Sequence, residues 1–141
     1  MPSDDELNRY YATTYRAEYQ FAFVKPSKTH QNKKIREAER REGRLSEICD
    51  LSKPKRYLDF GCGSGELVRR MASLGHQAEG FEQGEDYSAF AGQALNEEQG
   101  RKSSVHTGSW RDMNFANGAY DVISCLHVLE HLNDPKAALM Q

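Results

Sequence analysis

The stretch Tyr57-Leu58-Asp59-Phe60-Gly61-Cys62-Gly63-Ser64-Gly65 constrains this chain more than any other. An apolar strand-like run ends beside an acid, and three glycines follow at alternate positions. A helix-forming run from Glu66 to Leu74 begins at once. Strand, glycine turn and helix make the first half of a nucleotide-binding βαβ unit. The glycines let backbone approach a ligand where a side chain would stand in the way.

The turn also limits the ligand. A dinucleotide fingerprint, Gly-x-Gly-x-x-Gly counted from Gly61, requires glycine at position 66, with a pyrophosphate on the helix N-terminus. Position 66 is Glu66, and a carboxylate there repels a diphosphate but suits a cation. No Gly-x-x-x-x-Gly-Lys-Ser/Thr loop is present, so a phosphate-cradling P-loop is not indicated. The turn suits a nucleoside without phosphates that carries positive charge. S-adenosylmethionine, a sulfonium, fits.

Two further segments complete a pattern. The strand-like run Gln77–Glu82 ends in an acid, 17 positions after Gly65. An acid at the tip of a second βαβ strand can take both ribose hydroxyls. Downstream, Tyr120-Asp121-Val122-Ile123-Ser124-Cys125-Leu126-His127-Val128-Leu129-Glu130-His131-Leu132 is a β-branched strand followed by a Leu-Glu-His segment. Together the three segments resemble class I S-adenosylmethionine-dependent methyltransferases over roughly residues 55–141.

The resemblance implies a fold and a site. The fold is α/β, a Rossmann-like, doubly wound, mostly parallel sheet with N-terminal capping helices. Complete members have a seven-stranded sheet and four strands are legible here, so the core is expected to be truncated at its C-terminus. Residues 1–52 are expected to form a helical cap and 53–141 the cofactor-binding core. Asp59 is implied to face the cofactor's ammonium group, Glu82 the ribose, and Gln83 the adenine or ribose. Gly61, Cys62, Gly63 and Gly65 form the turn. Ser109 and Trp110 flank the adenine, with a core tryptophan as the other reading of Trp110. Leu126 and His127 stand at the edge of the fourth strand, where open α/β sheets bind ligands.

His131 and His127 are the candidate bases for an acceptor hydroxyl, with a structural role as the other reading of His131. The string His127-x-x-Glu130-His131 also matches an inverse-zincin pattern, which counts only on a helix in a suitable cleft. No metal is expected. Relatives with Glu-x-x-Glu-His here bind a divalent cation, but this chain has His127 at the first of those positions.

The N-terminal part reads as two helices. Ser3 and Glu6 form a capping box opening a helix to Phe23, with Leu7, Tyr11, Tyr15 and Tyr19 in one stripe. The stripe packs on the sheet, or it forms a lid through which Tyr11 touches the cofactor, as tyrosines of such helices do in the resembled family. Val24–His30 reads as a loop and Gln31–Asp50 as a helix burying Ile35, Ala38, Leu45 and Ile48. From Lys25 to Arg44 eight Lys or Arg face three Glu, an excess of five. That run is a solvated face or a docking face for an anionic substrate.

Further along, Glu66–Leu74 is expected to bury Leu67, Val68, Met71 and Ala72. A helix capped by Asp86 or Ser88 is expected to bury Phe90, Ala91, Ala94 and Leu95. Ser104–Thr107 reads as a strand, Gly108–Gly118 as a loop, and Asp121–Leu126 as a buried strand. Asp134-Pro135 starts a last helix.

Composition narrows the class. With 141 residues the chain supports one modest core. A net charge of −2 gives no reason to expect nucleic acid. No apolar run approaches a membrane span and no export signal opens the chain, so a cytoplasmic protein is expected. Cys49, Cys62 and Cys125 lack metal-ligand spacing and read as reduced thiols. The expected activity is methyl transfer to a small acceptor, such as a sugar or metabolite hydroxyl or amine. The alternatives are an inactive cofactor-binding fragment and a nicotinamide-dinucleotide domain. Oligomeric state is not legible.

Overall fold

A computed structural model of the protein describes residues 27–99 and 103–141, with Ser3, Glu6, Arg9, Tyr10 and Thr14. The elements are α1 (Lys28–Ile48), β1 (Arg56–Phe60), α2 (Glu66–Ser73), β2 (Gln77–Glu82), α3 (Glu85–Gln99), β3 (Ser104–Thr107), β4 (Val122–Cys125) and α4 (Pro135–Leu139). Single 3₁₀ turns span Trp110–Asp112 and Leu129–His131. The strands form one parallel sheet in the order β3-β2-β1-β4. The chain winds outward through β1, β2 and β3, then returns to the other side of β1. That reversal makes a switch point at the C-terminal ends of β1 and β4.

Each strand face has its own apolar layer. Tyr57 of β1 and Ala78 of β2 pack with Ala38 of α1, Val68 and Met71 of α2, and Leu95 of α3. Leu58, Phe60 and Phe81 pack on the opposite face with Trp110, Phe115, Tyr120 and Ala138. Helices on both faces give the doubly wound α/β architecture expected from the sequence. Fully burying a side chain such as Met71 or Leu95 stabilises the fold by about 2 kcal/mol.

Several local expectations are met by specific bonds. Glu6 Oε2 accepts from the amide and hydroxyl of Ser3, and Glu6 N–H donates to Ser3 Oγ, closing the capping box. The stripe expected along that helix, Leu7, Tyr11, Tyr15 and Tyr19, lies outside the described residues. Asp134 Oδ1 accepts from Ala137 N–H, with Pro135 in the first turn of α4. Gly65 has φ +82, and a Cβ on it would lie 2.8 Å from Ala91 Cβ. This glycine is needed where α2 starts against α3.

Other expectations are corrected. Helix α1 starts at Lys28, because Ser27 Oγ caps it by accepting from His30 N–H at 3.2 Å; the loop expected through His30 ends sooner. Ala38 and Leu45 pack inward as expected, but Lys34 and Arg41 share their stripe in place of Ile35 and Ile48, which are exposed. The cause is that part of this helix covers a polar cleft instead of apolar core. Helix α3 starts at Glu85 and buries Tyr87, Ser88, Ala91 and Leu95, leaving Phe90 and Ala94 partly exposed. Ser88 donates to the Glu85 carbonyl and is not the cap. Strand β4 is expected to be buried, yet Ile123 is 59% exposed. Among the described residues β4 is an edge of the sheet, paired with β1 alone, and Ile123 lines a cavity with Leu58, Ala138 and Leu139.

Candidate functional site

The switch point holds a cavity of about 240 Å³. Its floor is the glycine turn after β1, its back the tips of β1 and β2, and one side the segment after β4. The inner stripe of α1 forms the facing wall through His30, Lys34, Ala38 and Arg41.

The turn is shaped by backbone bonds to β2. The amides of Gly61 and Cys62 both donate to the Phe81 carbonyl, at 2.8 and 2.9 Å. Gly63 has φ +57, and a Cβ there would meet no atom within 4 Å. The backbone at Gly63 is therefore open to a ligand. Glu82, at the tip of β2, closes the arrangement. Its Oε2 accepts from Gly63 N–H at 2.8 Å and its Oε1 from Gly84 N–H at 2.9 Å.

Asp59 sits beneath the turn and is 4% exposed. Ser124, its register partner on β4, donates to Asp59 Oδ1 at 2.5 Å. Ser124 has one proton to give, so the Tyr57 hydroxyl, 2.5 Å away, donates to Ser124. Burial pushes the Asp59 carboxyl up to about 6, against the Ser124 bond and the nearby Arg41 charge, while Glu82 adds to the rise. Burial likewise lifts the Tyr57 hydroxyl and the Cys62 thiol above their ordinary ranges. All three cysteines are free thiols.

Glu66 opens α2 and is 7% exposed. Its Oε2 accepts from Ser64 Oγ at 2.7 Å, and its Oε1 is buried without a partner. His30 Nε2, on the α1 wall, is also buried without one. Lys34 and Arg41 both pair with Glu37, at 3.2 and 2.6 Å.

The cleft gathers ten residues singled out in the sequence: Asp59, Gly61, Cys62, Gly63, Glu82, Gln83, Trp110, Leu126, His127 and His131. Three others stand elsewhere. Gly65 serves helix packing and does not line the cleft. Ser109 caps the 3₁₀ turn by accepting from Arg111 N–H, and it does not line the cleft either. Tyr11 lies outside the described residues. Trp110 is a core residue, 7% exposed among Leu58, Phe60 and Phe81, and it also lines the cleft. Arg111 lies over its ring, 4.3 Å from the centroid.

His127 has φ +57, a strained conformation for a non-glycine residue. Its side chain is 80% exposed at the rim, with Nδ1 3.4 Å from Glu130 Oε1. His131 is half-buried in the wall. The segment holding both is a loop and one 3₁₀ turn, not the helix an inverse zincin requires.

Sequence reasoning missed Arg41, Lys34, His30, Ser124 and Tyr57 as residues of the site. For the α1 residues the signal was the basic run itself, whose inward members become visible only once the helix face is known. Ser124 had no signal, since its partner Asp59 is 65 residues away.

Residues 29–141 match the sequence profile of a family described as a methyltransferase domain. The chain belongs to the methyltransferase-domain family. Its relatives include ubiquinone biosynthesis O-methyltransferases. That of Aromatoleum aromaticum is 34% identical over 86 residues, which cover 60% of this chain and 36% of the relative. That of Sodalis glossinidius is 39% identical over 83 residues, covering 57% and 32%. The chain thus spans about a third of the length of these curated methyltransferases.

Solved structures share the fold. Magnesium protoporphyrin IX methyltransferase (ChlM) from Synechocystis PCC 6803, a structure with bound SAH, superposes with a TM-score of 0.69 at 18% identity, covering 97% of this chain and 65% of that one. The N-terminal domain of EvdMO1 with SAH bound gives 0.60 at 21% identity, covering 72% and 42%. Among the described residues no helix is long and apolar enough to cross a membrane.

Proposed function

We propose that this chain carries the S-adenosylmethionine site of a methyltransferase acting on a hydroxyl of a small-molecule acceptor. The observation that carries this reading is Glu82 bonded to the Gly63 amide at the switch point, with Glu66 where a dinucleotide site needs glycine. Two carboxylates around an open backbone turn favour a cationic nucleoside and disfavour a diphosphate. The curated O-methyltransferase relatives favour oxygen over nitrogen as the methylated atom.

When bound, S-adenosylmethionine supplies an electrophilic methyl group on its sulfonium. The chain's own residues bind and align. Glu82 holds the ribose hydroxyls, with Gln83 beside them. Trp110 and Phe81 flank the adenine. Arg41, on the α1 wall, offers its guanidinium to the amino-acid carboxylate, a geometry arginine suits. Residues 1–52 act as a cap that keeps water from the turn, and residues 53–141 as the binding core. His131 takes the proton from the acceptor hydroxyl, with exposed His127 as the rim alternative. Alignment in such a site supplies much of the rate, without covalent help from the protein.

The test is incubation of the chain with methyl-labelled S-adenosylmethionine and a panel of small phenols, sugars and amines. Label on oxygen is the expected result. Label on nitrogen, or none on any acceptor despite nucleoside binding, overturns the hydroxyl assignment; the second outcome makes the chain a binding fragment only.

A further inference from the structure

The cleft holds three carboxylates, and they are not equivalent. Both oxygens of Glu82 accept from backbone amides, at 2.8 and 2.9 Å. Asp59 Oδ1 accepts from Ser124 at 2.5 Å, in a relay that continues to Tyr57. Glu66 differs. Ser64 fixes one of its oxygens, and the other is buried with no donor, on a residue that lines the cleft. Lys34 and Arg41 of the facing wall hydrogen-bond to Glu37 and make no bond to that oxygen.

A buried carboxylate oxygen without a donor is costly, and a ligand that brings one recovers the loss. A cationic donor recovers most. Glu66 also occupies the first turn of α2, where the helix N-terminus stabilises its negative charge. The methyl donor of the proposed function carries one cationic hydrogen-bond donor, the ammonium of its amino-acid end; its sulfonium has no proton to give.

We infer that Glu66 Oε1 receives the cofactor's ammonium group, and that Asp59 is a positioning residue held by Ser124 beneath the turn. This rests on the proposed function and assigns one of its contacts to a residue that the family resemblance does not single out. The same carboxylate that excludes a diphosphate then selects amino-acid-bearing nucleosides over plain ones.

The test is calorimetric titration of the full chain and of Glu66→Gln with S-adenosylhomocysteine and with 5′-methylthioadenosine, which lacks the amino-acid end. Glutamine keeps the size and a bond to Ser64 but removes the charge. S-adenosylhomocysteine is expected to bind about 10- to 100-fold more weakly to the variant, the range of one charge-assisted hydrogen bond. 5′-methylthioadenosine is expected to bind both proteins alike. Equal weakening of both ligands makes Glu66 structural and overturns the inference, as does no weakening of either.

A second arm needs no variant. The deaminated analogue of S-adenosylhomocysteine is expected to bind the unaltered chain 10- to 100-fold more weakly than the parent compound, and to lose nothing further on Glu66→Gln. Full affinity for that analogue overturns the inference even if the variant fails to fold. If the unaltered chain binds no adenosine ligand at all, the proposed function fails and this assignment with it.

Discussion

Glu82 and Gly63 are joined by a 2.8 Å hydrogen bond from the glycine amide to the carboxylate, across 19 residues of sequence. The acid at the tip of β2 and the bend after β1 are therefore one structural unit. Neither does this alone: the bend leaves backbone open at Gly63, and the acid holds it in place.

Glu82→Ala removes both the tether and the ribose contact. Affinity for S-adenosylhomocysteine is expected to fall by about 1–3 kcal/mol, measured by calorimetry with the thermal midpoint recorded beside it. Unchanged affinity would show that the ribose lies elsewhere.

Two glycines of the same bend should fail in different ways. Gly63→Ala puts a Cβ into open space at φ +57, costing about 1 kcal/mol of backbone strain but blocking the approach of a ligand. Gly65→Ala drives a Cβ to 2.8 Å from Ala91 Cβ and forces α2 from α3. Ligand affinity is expected to suffer more in the first and thermal stability more in the second. Both quantities come from one melting series with and without S-adenosylhomocysteine, and the reverse order would contradict the assignment.

Burial holds the Asp59 carboxyl at about 6 in the folded protein, against an ordinary value of 3.8. Between those values the folded state binds more protons than the unfolded one. The ligand-free protein therefore loses stability as pH rises through this window. A cationic ligand favours the ionised carboxyl, so binding should strengthen over the same interval. Asp59→Asn is expected to flatten both profiles, in melts and in titrations from pH 4 to 7. A slope that survives the substitution belongs to another group.

Much of this was legible because it is local. A strand, alternating glycines and a helix lie within twenty residues, and the short-range caps Ser3–Glu6 and Asp134–Ala137 follow from adjacent side chains. The inward face of α1 was legible only in part, at Ala38 and Leu45. Apolar periodicity marks the face toward a core, whereas this helix turns Lys34 and Arg41 toward a cleft. Ile35 and Ile48, which carried the apolar reading, are exposed instead. The exposure of Ile123 was hidden too, because β-branched composition reports strand character without showing whether a layer covers it.

The Tyr57–Ser124–Asp59 relay joins strands that only the sheet register brings together. Tyr57→Phe removes its outer donor from a fully buried position. A stability loss of about 1 kcal/mol is expected, read from denaturant midpoints. No loss would mean that the relay does not hold Asp59.

The central claim is that the cleft takes an adenosyl nucleoside with a cationic amino-acid end and refuses a dinucleotide. Competitive titration of the chain with S-adenosylhomocysteine and NAD tests it directly. One-to-one binding of S-adenosylhomocysteine, at least about tenfold tighter than NAD, is the predicted result; NAD binding as tightly or more tightly would contradict it.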